Sequence, residues 1–379
     1  MSSTDLPAQG QLHAVHVLGT VAGAHVSSLA GGLVARGVDV TVCGPATAEA
    51  DYAFKATGAR YTAVDLGRAL TADAPAVAAL RTAAVGAGVV HAHGLRAGMV
   101  AALALGGRHT PLVLTWHGAQ PPARGRTAVV ARWLERRALR AATTVLAATS
   151  DLVDRARRYG APDVRLAPAA VPRPPSRPPR PPADGERHRL RVRAEFGAVD
   201  RPLLLAVGRL EPDQGHETLL AAAERWAAPG GDEPQPPLIV VAGDGSCADV
   251  LRQRAVRAGL PVRFLGVRDD VPDLLSAADL VLLPSRWEAR SLIAQEALYA
   301  GVPLVATAVG GTPELVGDAA VLVPYGDPGA LAAAVTGLLA DPGRRAALSV
   351  AGRAQAATWP TEDDAVAQVL SVYDELTRT

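Results

Sequence analysis

The chain has 379 residues, and its 38 basic and 37 acidic side chains leave a net charge of +1, without the basic excess that nucleic-acid binders carry. An apolar share of 49% against 20% charged residues excludes a disordered chain. The two cysteines, Cys43 and Cys247, stand too far apart for a readable disulfide framework or cysteine zinc cluster.

The length suits two domains, each with its own core. The leading residues MSSTDLPAQGQ show no basic stretch followed by an apolar run. No uncharged run approaches the ~18 residues needed to cross a bilayer. The expected location is therefore the cytoplasm. Lys55 is the sole lysine, so positive charge is almost entirely arginine.

LHAVHVL (12–18) predicts a strand, AHVSSLAGGLVARG (24–37) a helix closed by Gly37, and VDVTVC (38–43) a second strand. ARYTAV, GVVHAH, PLVLTW and TTVLAA follow as strands, with alanine-rich helices between them. Short apolar runs without polar alternation suit parallel strands covered on both faces, and repeated strand–helix units imply a doubly wound α/β domain over 1–170.

The pattern stops at VPRPPSRPPRPP (171–182), where proline removes backbone donors; a linker over 171–186 is expected. Alternation resumes with PLLLAVG (202–208), PPLIVVAG (236–243), VRFLG (262–266), ADLVLLP (278–284), VPLVAT (302–307) and AAVLVPY (319–325). A second doubly wound domain is thus expected over 187–357. A last helix in 358–379 is expected to cross back to the first domain. Ligands of such sheets sit beyond the carboxyl ends of strands, which places the expected site in a central cleft faced by the two domains.

Residues with chemical potential do follow strands. Glu288 precedes the helix SLIAQEALYAG, with Ser291 as its expected N-cap and Glu296 about 7–8 Å along the axis. A helix start favours an anion such as phosphate, although paired glutamates at a helix start also arise from capping alone. Gly208-Arg209 follows the first strand of the second domain; arginine suits phosphate oxygens and equally suits a surface ion pair. Gly19 to Gly23 forms a G-x-x-x-G loop rather than the dinucleotide fingerprint. His117 follows PLVLTW, where a histidine can meet a substrate or simply close a loop. His91 and His93 share a strand face, but no third metal ligand is identifiable, so no metal is expected. No D-x-D, P-loop or G-x-S-x-G is present.

Taken together, these segments resemble the retaining glycosyltransferases of the GT-B fold, family four, over nearly the whole chain. The specific part is Glu288 to Glu296, two glutamates separated by seven residues, followed by Ala300-Gly301-Val302-Pro303 and Gly310-Gly311-Thr312-Pro313-Glu314. Val207 to Leu210, Gly243-Asp244-Gly245, Phe264-Leu265-Gly266 and Gly326-Asp327-Pro328 match in order.

The resemblance implies retaining, metal-independent transfer of a sugar from a UDP- or GDP-sugar to an unidentified hydroxyl acceptor, with no cofactor. It assigns Glu296 to the ribose, Glu288 and His117 to the transferred sugar, and Arg209 to the diphosphate. The amides of Arg290, Ser291 and Leu292 would line the sugar phosphate. Gly23 would admit the phosphates, and the Arg268 loop would meet the base.

Two positions depart from the family. Gln214 stands where lysine is usual, and Arg290 where an aromatic residue is usual; Arg290 or Arg268 is expected to supply the missing cation. The alternative is a weakened or non-catalytic nucleotide-sugar-binding protein of the same fold. Residues 121–160 carry nine arginines against three carboxylates. The helix ARWLERRALRAA (131–142) reads either as a solvated charged face or as part of a peripheral contact, through residues 124–140, with an anionic membrane that presents a lipid-linked acceptor.

Overall fold

The computed structural model describes residues 11–19, 23–66, 73–118, 126–168, 170, 182–226 and 236–378. The chain divides into two compact units, Met1–Pro172 with Pro360–Thr379, and Arg173–Trp359.

The first unit runs β1 (His13–Leu18), α1 (Gly23–Val34), β2 (Asp39–Gly44), α2 (Ala48–Tyr52), β3 (Arg60–Ala63), α3 (Ala74–Ala83) and β4 (Val89–His93). It continues through α4 (Leu95–Ala104), β5 (Leu112–Trp116), α5 (Arg126–Ala141), β6 (Thr144–Ala147), α6 (Ser150–Arg158) and β7 (Val164–Leu166). The seven strands are parallel in the order β3-β2-β1-β4-β5-β6-β7.

The second unit begins with α7 (Pro182–Glu195), β8 (Leu203–Val207), α8 (His216–Trp226), β9 (Leu238–Ala242), α9 (Ala248–Arg257), β10 (Val262–Gly266) and α10 (Val271–Ala277). It goes on through β11 (Leu280–Leu283), α11 (Leu292–Ala300), β12 (Leu304–Thr307), α12 (Thr312–Val316), β13 (Val321–Val323), α13 (Pro328–Ala340) and α14 (Pro342–Ala357). Its six parallel strands lie in the order β10-β9-β8-β11-β12-β13.

Both expected doubly wound folds are therefore present. Strands β1, β4, β5, β6 and β9 are buried at every residue, which explains their apolar runs: each is covered on both faces. Two apolar clusters, one built around Leu205, Val240 and Leu304 and the other around Leu204, Ile239 and Val305, cover the two faces of the second sheet.

In each sheet the order reverses next to the first strand, between β1 and β4 and between β8 and β11. Such switch points open a crevice outside the carboxyl ends of the strands, and the loops after β8 and β11 lie there.

Residues 171–181 of the expected linker lie outside the described residues, and its last residues form the start of α7 instead. Proline is tolerated at a first helical turn, where its missing donor has no intrahelical acceptor. Buried Arg193 then ties α7 to the second sheet: it donates to Asp279 at 2.9 Å, to the Ala277 carbonyl at 2.9 Å and to the Arg201 carbonyl at 2.7 Å.

Trp359 is the last residue of the second unit. Its indole donates to the Leu315 carbonyl at 3.0 Å and meets Tyr299 edge-on at 5.2 Å. The chain then forms α15 (Glu362–Thr377), opened by a capping box between Thr361 and Asp364. Val366, Val369, Val372 and Tyr373 of α15 join the first unit's core beside α1.

The packing of α15 on α1 is close. A Cβ at Gly32 would lie 2.4 Å from Val366 Cγ2, so the helices approach only because Gly32 has no side chain. Gly32→Val is expected to destabilise the protein by about 1–3 kcal/mol through overpacking. Urea unfolding measures this, and an unchanged midpoint contradicts the close contact.

Candidate active site

The loops after β8, β9 and β11 are sewn together by their backbones. Gly208 N donates to Ala242 O at 3.0 Å, Leu210 N to Asp244 O at 2.9 Å and Cys247 N to Leu210 O at 2.8 Å. Gly243 permits the first of these approaches, since a Cβ there would lie 1.8 Å from Gly208 O. Arg286 N donates to Asp213 O at 2.8 Å, joining the β8 loop to the β11 loop. Arg209, Gln214 and Glu288 are thereby fixed at one sheet edge.

The segment after β11 has its own anchors. Thr307 Oγ1 donates to Ser285 O at 2.6 Å, and Gly311 N donates to Glu288 O at 2.8 Å. Gly310 adopts φ +53°, and a Cβ there would lie 2.1 Å from Glu288 O and 2.8 Å from Trp287 Nε1. The Gly310-Gly311 pair is thus a clamp on the glutamate's backbone.

The Glu288 side chain is partly buried. Burial pushes its carboxyl above the ordinary range, and nearby Asp213 adds to this. A hydrogen bond from Ser285 and the positive field of Arg209 act in the opposite direction. Arg209 itself is exposed and forms no ion pair among the described residues. Gln214 is partly buried, with its amide oxygen beside Gly208.

Ser291 occupies the N-cap position of α11, as expected, but its hydroxyl makes no capping hydrogen bond. The expectation that the hydroxyl satisfies the first N–H groups is corrected: the side chain is buried and makes no such bond, although the backbone at φ −55°, ψ 123° is extended as at other N-caps. Gln295 steadies this turn by donating to the carbonyls of Arg290 and Ser291 at 3.3 and 3.4 Å. The first turn of α11, starting at exposed Leu292, thus keeps free N–H groups at the positive end of the helix dipole.

One and a half turns further on, Glu296 is partly buried and has no hydrogen-bond or ion-pair partner among the described residues. Burial alone pushes its carboxyl up.

Of the two other arginines, Arg268 is engaged by a carboxylate, whereas the Nε of Arg290 is buried without a hydrogen-bond partner. Arg268 grips Asp270 with both arms of its fork, Nε at 2.7 Å from Oδ1 and Nη2 on Oδ2. The guanidinium of Arg290 lies 5.9 Å from the centre of the Trp359 ring, in the field of Glu314, and burial lowers its pKa.

In the first unit, Gly23 is buried as the opening residue of α1. A Cβ there would lie 2.1 Å from the Tyr52 ring, so the missing side chain makes room for that tyrosine. Residues 20–22 of its loop lie outside the described residues.

His117 lies just past β5, with Nε2 3.4 Å from His93 Nδ1. Desolvation, aided by His25, lowers its pKa to about 3, so it is neutral at physiological pH. His91 and His93 do have a third imidazole nearby, contrary to expectation: His16, with ligand atoms of the three within 4.8 Å. A cation must lie in the plane of each ring that binds it. The His91 and His93 rings stack at 4.3 Å and 27°, and both nitrogens of His91 already meet Tyr373 and Thr115. The geometry therefore favours hydrogen-bonded imidazoles over a metal centre.

Sequence reasoning missed Ser285, Thr307 and Tyr373. Only the Gly-Gly-Thr-Pro run after β12 signals the clamp on Glu288, and nothing local signals Tyr373.

Glu296 supplies a sign-defined prediction. Its folded-state pKa is raised, so the folded form holds more protons than the unfolded form above the ordinary value of 4.5, and stability falls as pH rises through that window. Glu296→Gln is expected to raise the melting temperature at pH 7 and to lose most of that advantage at pH 4. An equal or larger gain at pH 4 contradicts the desolvated carboxylate.

Residues 201–341 match the family model "Glycosyl transferases group 1", and residues 22–171 match "Glycosyl transferase 4-like domain". The chain is 32% identical over 224 residues to the alpha-D-kanosaminyltransferase of Streptomyces kanamyceticus, covering 56% of this chain and 55% of that protein. It is 34% identical over 319 residues to the D-inositol 3-phosphate glycosyltransferase of Xylanimonas cellulosilytica, covering 76% and 72%. For several relatives the match thus spans about half of their length. The fold is similar to that of the HepE protein of Anabaena in complex with UDP and glucose, with TM-score 0.76, 20% identity and coverage of 96% and 100%. With two Rossmann-like parallel-sheet units of the GT-B kind, and with 34% identity over about three quarters of the chain to one such glycosyltransferase, the chain belongs to the glycosyl transferases group 1.

Proposed function

We propose that this protein transfers a sugar from a nucleoside diphosphate sugar, UDP- or GDP-linked, to a hydroxyl acceptor, with retention of anomeric configuration and without a metal ion. The observation that carries the reading is one sheet edge holding charged groups of both signs that form no ion pair among the described residues. Arg209 and the uncapped start of α11 attract an anion, while Glu288 and Glu296 accept hydrogen bonds from hydroxyls.

On this reading Glu296 binds the ribose and Glu288 the transferred sugar. The amides of Arg290, Ser291 and Leu292 meet the sugar phosphate. As the bond from the anomeric carbon to the phosphate oxygen breaks, charge grows on the diphosphate, and Arg209 with the helix dipole stabilises it. The attacking acceptor hydroxyl gives its proton to the leaving phosphate oxygen on the same face. Gln214 adds a neutral hydrogen bond in place of a lysine. Arg268 stays with Asp270, and its loop meets the base. The resemblance assigns Gly23 to the phosphates and His117 to the donor sugar. The HepE relative holds UDP and glucose, in keeping with a uridine donor.

A non-catalytic sugar-nucleotide binder is the second reading, favoured by Gln214 together with the engagement of Arg268. Nucleotide release in the presence of candidate acceptors, compared with nucleotide binding, separates the two. Arg209→Ala is expected to weaken UDP or GDP binding about tenfold or more, the loss of one charge-assisted contact. Gln214→Lys is expected to strengthen it by about the same factor. Calorimetric titration measures both, and an unaffected Arg209→Ala contradicts the phosphate assignment.

For the acceptor, we propose contact with an anionic membrane face through residues 124–140, at the cytoplasmic side. Trp133 on α5 is 59% exposed and Leu103 on α4 is 44% exposed. With Met99, Arg136, Arg137 and Arg140 they line a groove of about 420 Å³. No described helix is long and apolar enough to cross a membrane. Binding to vesicles of anionic lipid at low salt, lost at high salt, is expected in co-sedimentation; no binding at low salt contradicts the contact.

A further inference from the structure

Several imidazoles of the first unit form a chain rather than a cluster. Residue register builds it: His16 on β1 pairs with His91 on β4, and His93 pairs with Thr115 on β5. Side chains two apart on a strand share a face, so these groups face one another across three adjacent strands.

From the partly exposed end inward, His117 Nε2 meets His93 Nδ1 at 3.4 Å, and His93 Nε2 meets His16 Nδ1 at 3.1 Å. His16 Nε2 meets the Tyr373 hydroxyl at 3.1 Å, that hydroxyl meets His91 Nδ1 at 2.6 Å, and His91 Nε2 meets Thr115 Oγ1 at 2.5 Å. His16, His91, His93 and Tyr373 are fully buried. No carboxylate or guanidinium takes part in any link. Burial holds all four rings neutral.

A neutral imidazole has one N–H and one lone pair. Each link needs one of each, so the whole chain is satisfied in only two arrangements. In the first, every ring carries its proton on Nε2: His117 donates to His93, His93 to His16, and His16 to the tyrosine oxygen. Tyr373 then donates to His91, His91 donates to Thr115, and His117 presents a lone pair at Nδ1. In the second, every ring carries its proton on Nδ1, every link is reversed, and His117 presents an N–H. Any other combination leaves a buried donor facing a donor, an acceptor facing an acceptor or, where His16 and His91 both donate to the Tyr373 oxygen, the hydroxyl proton without an acceptor in the chain.

We propose that His93, His16 and Tyr373 are positioning residues that make the rings switch only together, so that the ordinary preference of a neutral imidazole for the Nε2–H form, added over four rings, holds His117 in the first arrangement with its outer nitrogen an acceptor. The consequence for catalysis rests on the reading of His117 as a contact to the transferred sugar; the lock itself does not. The last helix of the chain thereby sets the hydrogen-bond polarity of a residue after β5.

The test uses the full chain labelled with ¹⁵N-histidine, with His117 assigned by comparison with His117→Asn. Long-range ¹H–¹⁵N correlation distinguishes the two neutral tautomers. The wild type is expected to show a single tautomer at His117, and Tyr373→Phe a mixture. In sugar transfer, Tyr373→Phe is expected to lower kcat about tenfold or more, the effect of one lost buried hydrogen bond, while KM for the donor stays within about twofold.

Val369→Ala loosens α15 without touching the chain, and its kcat is expected to match the wild type below the melting temperature. Should Tyr373→Phe fail to fold, His16→Asn cuts the same link, since it keeps a group near Nδ1 and lacks one at Nε2. The proposal is overturned by averaged tautomers at His117 in the wild type, by an unchanged His117 spectrum in the cut variants, or by a kcat loss in Val369→Ala equal to that of Tyr373→Phe. Failure of the wild type to transfer any sugar overturns the proposed function instead, and the His117 spectrum still decides the lock.

Discussion

Burying a carboxylate without an ion-pair partner costs folding free energy, and the second unit does this twice within one short segment among the described residues. Glu288 has partial relief from the Ser285 hydroxyl and the field of Arg209; Glu296 has none among the described residues. An unpaired arginine and an uncapped helix start lie at the same sheet edge. Hydrogen bonds hold the loops around these groups: Gly311 N meets Glu288 O, Arg286 N meets Asp213 O, and Gln295 holds the turn before α11. Frustration kept in place by a rigid frame is a mark of a ligand site, because the ligand supplies the missing partners.

The same frame explains which features the sequence displays. Parallel strands buried on both faces must be nearly all apolar, so most strands stand out as short hydrophobic runs with glycine or proline at their ends. Strand β7, the three residues Val164–Leu166 with an arginine in the middle, is too short to show any period. Helix α7 starts inside a proline-rich stretch, where composition argues against any element, and its anchor is Arg193 on Asp279, a pairing of distant residues.

At the site, spacing alone gives two glutamates on one loop–helix segment, and the likeness to a family gives them roles. What no spacing shows is that Ser291 leaves its helix uncapped or that Gly310 exists to let a backbone pass. Those are facts of distance. The uncapped start is nonetheless the more informative outcome, since a satisfied cap would have competed with a phosphate for the same N–H groups.

The first unit solves the opposite problem. Its histidines are uncharged and linked end to end by hydrogen bonds, where apolar side chains would fill the same volume with no polar atoms to satisfy. A core that keeps imidazoles at this cost needs every link made, and that demand fixes directions: a neutral ring cannot donate on both sides. On the proposed lock, the partly exposed His117 inherits its direction from the buried rings behind it. Charged groups without ion pairs among the described residues thus lie in the second unit's candidate site, while the first unit holds neutral imidazoles that reach a partly exposed ring nitrogen. A group of that kind discriminates between hydroxyl geometries without attracting anions, which is the discrimination a sugar-handling surface requires.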